Sequence, residues 1–307
     1  MHTRFASLAV AAALILGAVP GHAQDKLKTV ATFSILADFV KNVGGDRVEV
    51  KSLVPVNSDA HVYAPTPADA RMLTGARLVF TNGLGFEGWI ERLVKSSGTK
   101  ATVAVATKGI KARAMEGGDG HRQEPKHGPG HSESDPHAWQ SVANAKVYAA
   151  NIRDALIAAD PAGKAAYEAN AAAYLARLDA LEREVRETVA RVPADRRRII
   201  TTHDAFGYFR AAYGIEFVAP QGVSTESEAS ARDVARIISQ IRKQKIPAVF
   251  LENVTDSRLL KRISDETGAR IGGTLYSDAL TDEKGVAPTY IDMIRHNIRT
   301  LSAALMG

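Results

Sequence analysis

The strongest constraint on the fold is a regular alternation of β-rich runs with helical patterns along the chain. Runs rich in Val, Ile, Thr and Phe predict strands at residues 29–33, 48–53, 76–81, 101–106, 198–202, 215–218, 248–251 and 269–271. Between such runs the apolar residues take helical spacing, as in residues 35–40. This alternation is typical of parallel sheets covered by helices. We therefore predict an α/β fold of two lobes, each a parallel-rich sheet flanked by helices.

A long helical pattern at residues 161–192 separates the two series of strands. Asp160 and Pro161 provide an N-cap and a first helical residue, and Pro193 ends the pattern. One apolar face repeats at spacings of three and four: Leu175, Leu178, Leu181, Val185 and Val189. A helix of this length spans roughly 45 Å. We interpret it as a rigid link between an N-terminal lobe (24–160) and a C-terminal lobe (193–307); a surface helix on one domain is the alternative.

The first 23 residues have the pattern of a cleavable signal peptide. Arg4 precedes an apolar run at residues 8–19, and Gly21 and Ala23 place small residues before the cleavage point. The sequence contains no cysteine, which excludes a lipid-modified N-terminal Cys and disulfides. The net charge of +5 is modest and spread out, so it does not indicate a nucleic-acid partner. These features predict a soluble periplasmic protein, and we expect a monomer.

Four short segments each offer one metal ligand in a restrained setting. His61 precedes Pro65-Thr66-Pro67, and His137 directly follows a proline. His203 and Asp278 come at or just after predicted strands, at the sheet edge where α/β proteins bind ligands. A single histidine of this kind is usually an ordinary surface or core residue. Together, three imidazoles and one carboxylate make a donor set that suits four-coordinate Zn²⁺.

Residues 117–134 form a Gly-, Pro- and charge-rich stretch that predicts a flexible loop. It contains His121, His127 and His131, directly before the His137 segment. Because His-rich tracts recur in metal proteins, we expect a low-affinity capture loop; docking of a periplasmic zinc chaperone is a further possibility. His296 lies on a predicted C-terminal helix, where we interpret it as structural.

The motifs together resemble the cluster A-I, or TroA-like, metal-binding receptors of ABC importers. The matching segments are Asp59-x-His61 with Pro65-Thr66-Pro67-x-Asp69, residues 135–139, residues 202–209, residues 221–230 and residues 275–280. The resemblance covers nearly all of the chain after the signal peptide, and Gln140-Ser141-Val142 departs from it. It implies two α/β lobes joined by a long helix, with metal in the cleft between them. It also implies His61, His137, His203 and Asp278 as the ligands, and a membrane permease as partner.

The metal depends on position 203, where manganese receptors of this family usually have Glu. Histidine makes the donor set softer, so we expect zinc, with a manganese- or iron-type receptor as the alternative. A zinc hydrolase is disfavoured, because a fourth protein ligand occupies the position that catalytic zinc keeps for water. A zinc buffer without a transporter has the same site. We expect a limited tilt of the lobes, and release when the permease draws Asp278 and His203 away from His61 and His137.

Overall fold

Two four-stranded parallel sheets organise the computed structural model, which describes residues 25–114 and 134–307. The predicted signal peptide and the three histidines of the predicted loop lie outside the described residues. Within the described part of the chain, no helix is both long enough and apolar enough to cross a membrane. The α/β prediction with two lobes is confirmed.

The first sheet has the strand order β2-β1-β3-β4, with every neighbouring pair parallel. Its strands are β1 (Leu27–Ala31), β2 (Val48–Ser52), β3 (Leu78–Thr81) and β4 (Thr102–Val105). The helices of this half are α1 (Ser34–Gly44), α2 (Pro67–Thr74), α3 (Ile90–Ser97) and α4 (Val142–Ala159). A two-residue antiparallel ladder joins β5 (Arg113–Ala114) to β6 (Ser134–Asp135). The predicted loop therefore ends one residue too late, because Ser134 pairs with Ala114 in this ladder.

After the long helix α5 (Lys164–Ala190), the second sheet has the order β10-β9-β7-β8, again all parallel. Its strands are β7 (Arg198–Ile200), β8 (Glu216–Val218), β9 (Ala248–Glu252) and β10 (Arg270–Leu275). The remaining helices are α6 (Gly207–Tyr213), α7 (Ala231–Gln244), α8 (Arg258–Thr267) and α9 (Tyr290–Met306). All eight predicted strands are present, with ends shifted by a few residues.

The two sheets share one topology. In each sheet, the first strand in the chain (β1 or β7) is an inner strand and the second (β2 or β8) is the edge strand beside it. The third (β3 or β9) lies on the other side of the first strand, and the fourth (β4 or β10) is the opposite edge. The order reverses between β1 and β3 in the first sheet and between β7 and β9 in the second. Crevices at the carboxyl ends of such strands are where α/β sheets bind ligands. The topology therefore directs the loops after these strands toward a possible site.

Helices α5 and α9 connect the two halves through one continuous core. Helix α5 follows a 3-10 turn at Pro161–Gly163 and runs for 27 residues, with Leu178, Leu181 and Val185 fully buried. The first turn of α9 is held by the other half, since the Asp38 carboxylate on α1 accepts the Tyr290 backbone N–H at 2.9 Å. Removing a buried leucine from such a core costs about 2–5 kcal/mol. The long helix is thus integral to the packing of both sheets.

Candidate metal centre

The four predicted ligands meet at one point. His61, His137, His203 and Asp278 each present a ligand atom, and these atoms all lie within 4.8 Å of one another. The two histidines of the first half come from loops beyond β2 and β6, whereas His203 and Asp278 follow β7 and β10. The four residues, which are spread over more than two hundred positions of the sequence, therefore form one buried cluster between the sheets.

The spacing of the ligand atoms suits a tetrahedral ion. His61 Nε2 lies 3.2 Å from His137 Nε2 and 3.5 Å from Asp278 Oδ2. Asp278 lies 3.6 Å from His137 through Oδ1 and 3.1 Å from His203 Nε2 through Oδ2. A tetrahedral zinc ion with bonds of about 2.0–2.1 Å has ligand atoms about 3.3 Å apart. The measured distances are close to the edges of such a coordination shell.

Several ligand atoms are buried and have only the other ligands as polar neighbours. They are both carboxylate oxygens of Asp278 and the Nε2 atom of His203, which lies 3.1 Å from Asp278 Oδ2. Buried polar atoms in proteins are nearly always satisfied, so a group that faces inward on itself calls for an explanation. A cation at their centre would be coordinated by all three atoms, and the residues therefore fit a bound metal.

The same local turn positions His61 and His137. In each case an aspartate two residues earlier accepts the backbone N–H of the histidine: Asp59 at 2.8 Å and Asp135 at 2.9 Å. Aspartate forms such turns readily because its short carboxylate reaches the backbone two residues on. The repeated Asp-x-His sequence thus restrains the backbone of each histidine and, with it, the position of the imidazole.

Carboxylates behind two of the imidazoles orient their rings. Asp135 Oδ1 lies 2.9 Å from His137 Nδ1. Glu252 Oε2 lies at ion-pair distance, 2.7 Å, from His203 Nδ1, and Glu252 Oε1 accepts the backbone N–H groups of Thr202 and His203. A carboxylate oxygen accepts, so it favours a proton on Nδ1 and leaves Nε2 for the metal.

Glu252 was not predicted from the sequence. It ends β9, the strand beside β7, and is buried, so the sheet brings it beside His203. The available signal was a lone carboxylate at the end of the apolar run Ala248-Val249-Phe250-Leu251. Nothing in that signal specifies which neighbouring strand it would face.

Burial and mutual charge set the protonation of the cluster. Burial lowers the pKa of His61 below its ordinary value, partly opposed by Asp278. Burial also acts to lower the pKa of His203, but the Glu252 and Asp278 carboxylates outweigh it and hold that pKa well above its ordinary value. The pKa of Asp278 lies well below its ordinary value, because the neighbouring imidazoles outweigh its burial. A metal cation entering the cluster therefore replaces a proton of His203 and meets an ionised Asp278.

The segment carrying Asp278, residues 276–280, is held by both halves: on its own side, Asn297 of α9 accepts the Tyr276 N–H at 2.9 Å and donates to the Tyr276 carbonyl at 2.7 Å. From the N-terminal half, the Ser277 carbonyl accepts the Trp139 indole N–H at 2.9 Å and the Gln140 amide N–H at 2.8 Å. Leu280 is also held by that half: its N–H donates to Ser34 Oγ at 3.0 Å, and its carbonyl accepts the Asn57 N–H at 2.9 Å. From its own half, Asn253 donates to the Ala279 carbonyl at 3.2 Å. Gln140, where the sequence departs from the family, therefore helps to fix the ligand segment.

Three acidic residues of the neighbouring segments, and His296, fall outside the cluster. Glu226 and Glu228 are exposed, and Asp204 is half-buried beside His203. His296 lies on α9, where its Nε2 is 3.0 Å from the Thr274 carbonyl, as expected for a structural residue.

The geometry agrees with what comparison with known proteins shows. The family described as zinc-uptake complex component A, periplasmic (ZnuA), matches residues 29–304. The chain belongs to the ZnuA family of periplasmic metal-binding receptors. The members of this family are solute-binding receptors of ABC transporters and not enzymes, so the prediction of a non-enzyme is confirmed.

Relatives of the chain carry the names of different metals. The iron-binding protein YfeA of Yersinia pestis is 36% identical, with 92% of this chain and 88% of the relative covered. The manganese-binding lipoprotein MntA of Halalkalibacterium halodurans is 35% identical, with 92% and 89% covered. The solved structure of the periplasmic zinc-binding protein TroA of Treponema pallidum superposes with a TM-score of 0.83 at 32% identity, covering 92% of this chain and 99% of that one. The metal of this chain is therefore not decided by membership of the family.

Proposed function

We propose that this protein binds Zn²⁺ between its two lobes and delivers it to the membrane permease of an ABC importer. His61, His137, His203 and Asp278 are the proposed ligands. The observation that carries the proposal is the meeting of these four buried donors within 4.8 Å of one another, with His61 Nε2 3.2 Å from His137 Nε2 and His203 Nε2 3.1 Å from Asp278 Oδ2. The metal is the cargo of the receptor, and the ligands act by replacing its water shell during carriage.

The composition of the donor set supports zinc. Three imidazole nitrogens and one carboxylate form a borderline set, which favours zinc over the harder manganese ion. Histidine at position 203 supplies the third nitrogen, and Glu252 behind it raises its basicity. Fe²⁺ and Mn²⁺ lie below Zn²⁺ in intrinsic affinity for such sites.

A manganese- or iron-type receptor is the second candidate. The names of the relatives favour it, as does one feature of the site. Both oxygens of Asp278 are unsatisfied and face imidazoles, so the carboxylate can supply two oxygen donors instead of one. A fifth donor would suit a metal that prefers a larger and harder shell.

The cellular setting follows from the sequence. We propose that residues 1–23 direct export to the periplasm and that residues 24–160 and 193–307 form the two metal-binding lobes joined by the helix of residues 161–192. His121, His127 and His131 are proposed as a low-affinity capture loop. A permease is the expected partner, a periplasmic zinc chaperone is a further one, and the receptor is expected to act as a monomer.

Metal analysis of the purified protein, followed by competition between Zn²⁺ and Mn²⁺, tests the proposal. We expect one tightly held ion per chain and a clear preference for Zn²⁺. Preference for Mn²⁺ or Fe²⁺ would favour the second candidate. Absence of any stoichiometric metal would contradict both.

A further inference from the structure

The four proposed ligands differ in their access to solvent. His137, His203 and Asp278 are 0% exposed, whereas His61 is 6% exposed. His61 also differs in lying on a loop whose neighbour Val62 is 53% exposed. The His61 side is therefore the least buried side of the ligand cluster, and we call it the mouth of the site.

A loop of the C-terminal half lies at this mouth. We call residues 219–230, between β8 and α7, the mouth loop. It is tied to the His203 segment by two backbone hydrogen bonds: Gln221 N–H donates to the Thr202 carbonyl at 3.2 Å, and Asp204 N–H donates to the Gly222 carbonyl at 3.1 Å. A change in the position of this loop is therefore transmitted to His203.

One side-chain hydrogen bond joins the mouth loop to the His61 segment. The Thr225 hydroxyl donates to Asp59 Oδ2 at 2.6 Å. The other oxygen of the same carboxylate, Oδ1, accepts the His61 backbone N–H at 2.8 Å. Thr225, Asp59 and His61 thus form a continuous chain from one half of the molecule to a metal ligand in the other.

We propose that Thr225 is a positioning residue that holds the mouth loop across the site and thereby sets the rate at which metal leaves. The inference rests on the proposed function, since it describes the release of the same ion. Loss of the Thr225 hydroxyl removes the side-chain bond between the mouth loop and the His61 segment, and it leaves the Asp59 carboxylate with its bond to the His61 backbone N–H. Hydrogen bonds to charged acceptors are among the stronger ones, so this contact is well suited to control opening.

The test measures zinc release from the full chain into an excess of a chromogenic chelator by stopped flow. Thr225→Val keeps the shape and removes the hydroxyl, and Thr225→Ser keeps the hydroxyl. Thr267→Val is the matched control, because the Thr267 hydroxyl lies in the same half and donates within α8, to the Ile263 carbonyl. We expect release on the order of tenfold faster for Thr225→Val, with near wild-type rates for the other two.

Three outcomes would overturn the proposal: an unchanged rate in Thr225→Val, equal acceleration in Thr225→Ser, or equal acceleration in Thr267→Val. Metal association rates are compared with release rates as a second criterion. A hydroxyl that only stabilised the metal-free fold would not change the release rate selectively, whereas a positioning hydroxyl would. Stoichiometric zinc binding by the wild type is measured first. Its absence would contradict the proposed function, whereas normal binding with unchanged release in Thr225→Val would contradict only the role of Thr225.

Discussion

Each of the three proposed histidine ligands is held by a carboxylate that contacts its ring or its backbone. Asp135 and Glu252 face the Nδ1 atoms of His137 and His203, and Asp59 holds the backbone of His61. Such outer contacts restrict the ring orientation before metal arrives, so less conformational entropy is lost on binding. At the scale of single residues, the site is preorganised.

Asp278 supplies the only negative charge among the four ligands. Asp278→Ala should weaken zinc binding by more than the roughly 10–100-fold typical of an outer-contact change, because the dication is left with neutral nitrogens alone. Calorimetry with purified protein measures this loss. Asp282→Ala, an exposed position a few residues on, is the control and should bind normally. Normal affinity in Asp278→Ala would show that this carboxylate is not a ligand.

Position 203 should control the choice of metal, but only together with Glu252. A glutamate at 203 would face the buried Glu252 carboxylate at close range, and two adjacent buried carboxylates repel. We expect His203→Glu alone to lose affinity for both metals, and His203→Glu with Glu252→Gln to shift preference toward Mn²⁺. Competitive titration of Zn²⁺ against Mn²⁺ measures the ratio, with Glu252→Gln alone as control. An unchanged ratio in the double variant would remove His203 from the ligand set.

Asp38 links pH to stability away from the metal. Burial raises its pKa to about 6, against partial opposition from the Tyr290 N–H and Arg177. The folded-state pKa of Asp38 lies above the ordinary value of 3.8, so protonated Asp38 favours the folded state. This contribution to the free energy of unfolding is present below pH 4 and is lost as pH rises through 6. Relative to wild type, Asp38→Asn should gain stability between these pH values, by up to about 3 kcal/mol.

Urea unfolding of the metal-free protein at pH 4.5 and pH 7.5 measures the Asp38 effect. Asp265→Asn, at an exposed position on α8, is the control and should show no such pH dependence. A stability difference between wild type and Asp38→Asn that does not change with pH would contradict the assignment.

The β5–β6 ladder brings together the two chain positions on either side of residues 115–133. Ala114 and Ser134 pair across the β5–β6 ladder, so the ends of the segment 115–133 are held together by the fold itself. An antiparallel pair can be closed by a short turn. At the scale of elements, this segment is therefore separable from the metal centre.

Replacing residues 115–133 with a short Gly-containing turn should leave the tight site intact and slow loading from dilute zinc. The physical reason is that all four proposed ligands lie outside the segment, whereas His121, His127 and His131 lie within it. Calorimetry gives the affinity, and stopped flow gives the loading rate. The matched variant changes only these three histidines to Gln, and it should load as slowly as the replacement. Loss of the tight site would mean that the ligands are misassigned.

Continuous packing through α5 and α9 restricts how far the two halves can move. A single core includes residues of both sheets together with the buried faces of these helices. Close-packed interfaces slide by small amounts and do not open widely without breaking contacts. At the scale of the whole molecule, we expect a limited shift on metal binding.

Spin labels can measure this shift because the chain has no native cysteine. Cysteines at Lys95 on α3 and Arg262 on α8, both exposed, report the distance between the halves. We expect metal loading to change it by no more than about 3 Å. A pair at Lys95 and Lys51, within the first half, is the control. A change on the order of 10 Å would instead indicate hinge closure.

Local sequence by itself determined much of this protein. The strands, the long helix and the position of the four proposed ligands at strand ends or in proline-restrained loops were predictable, because these are properties of neighbouring residues. The tertiary structure alone decided that β7 lies beside β9 and so brings Glu252 to His203, that Trp139 reaches the Ser277 carbonyl, and that Thr225 reaches Asp59. These contacts join residues between 49 and 166 positions apart, and their partners are chosen by sheet order and packing, which no local pattern records.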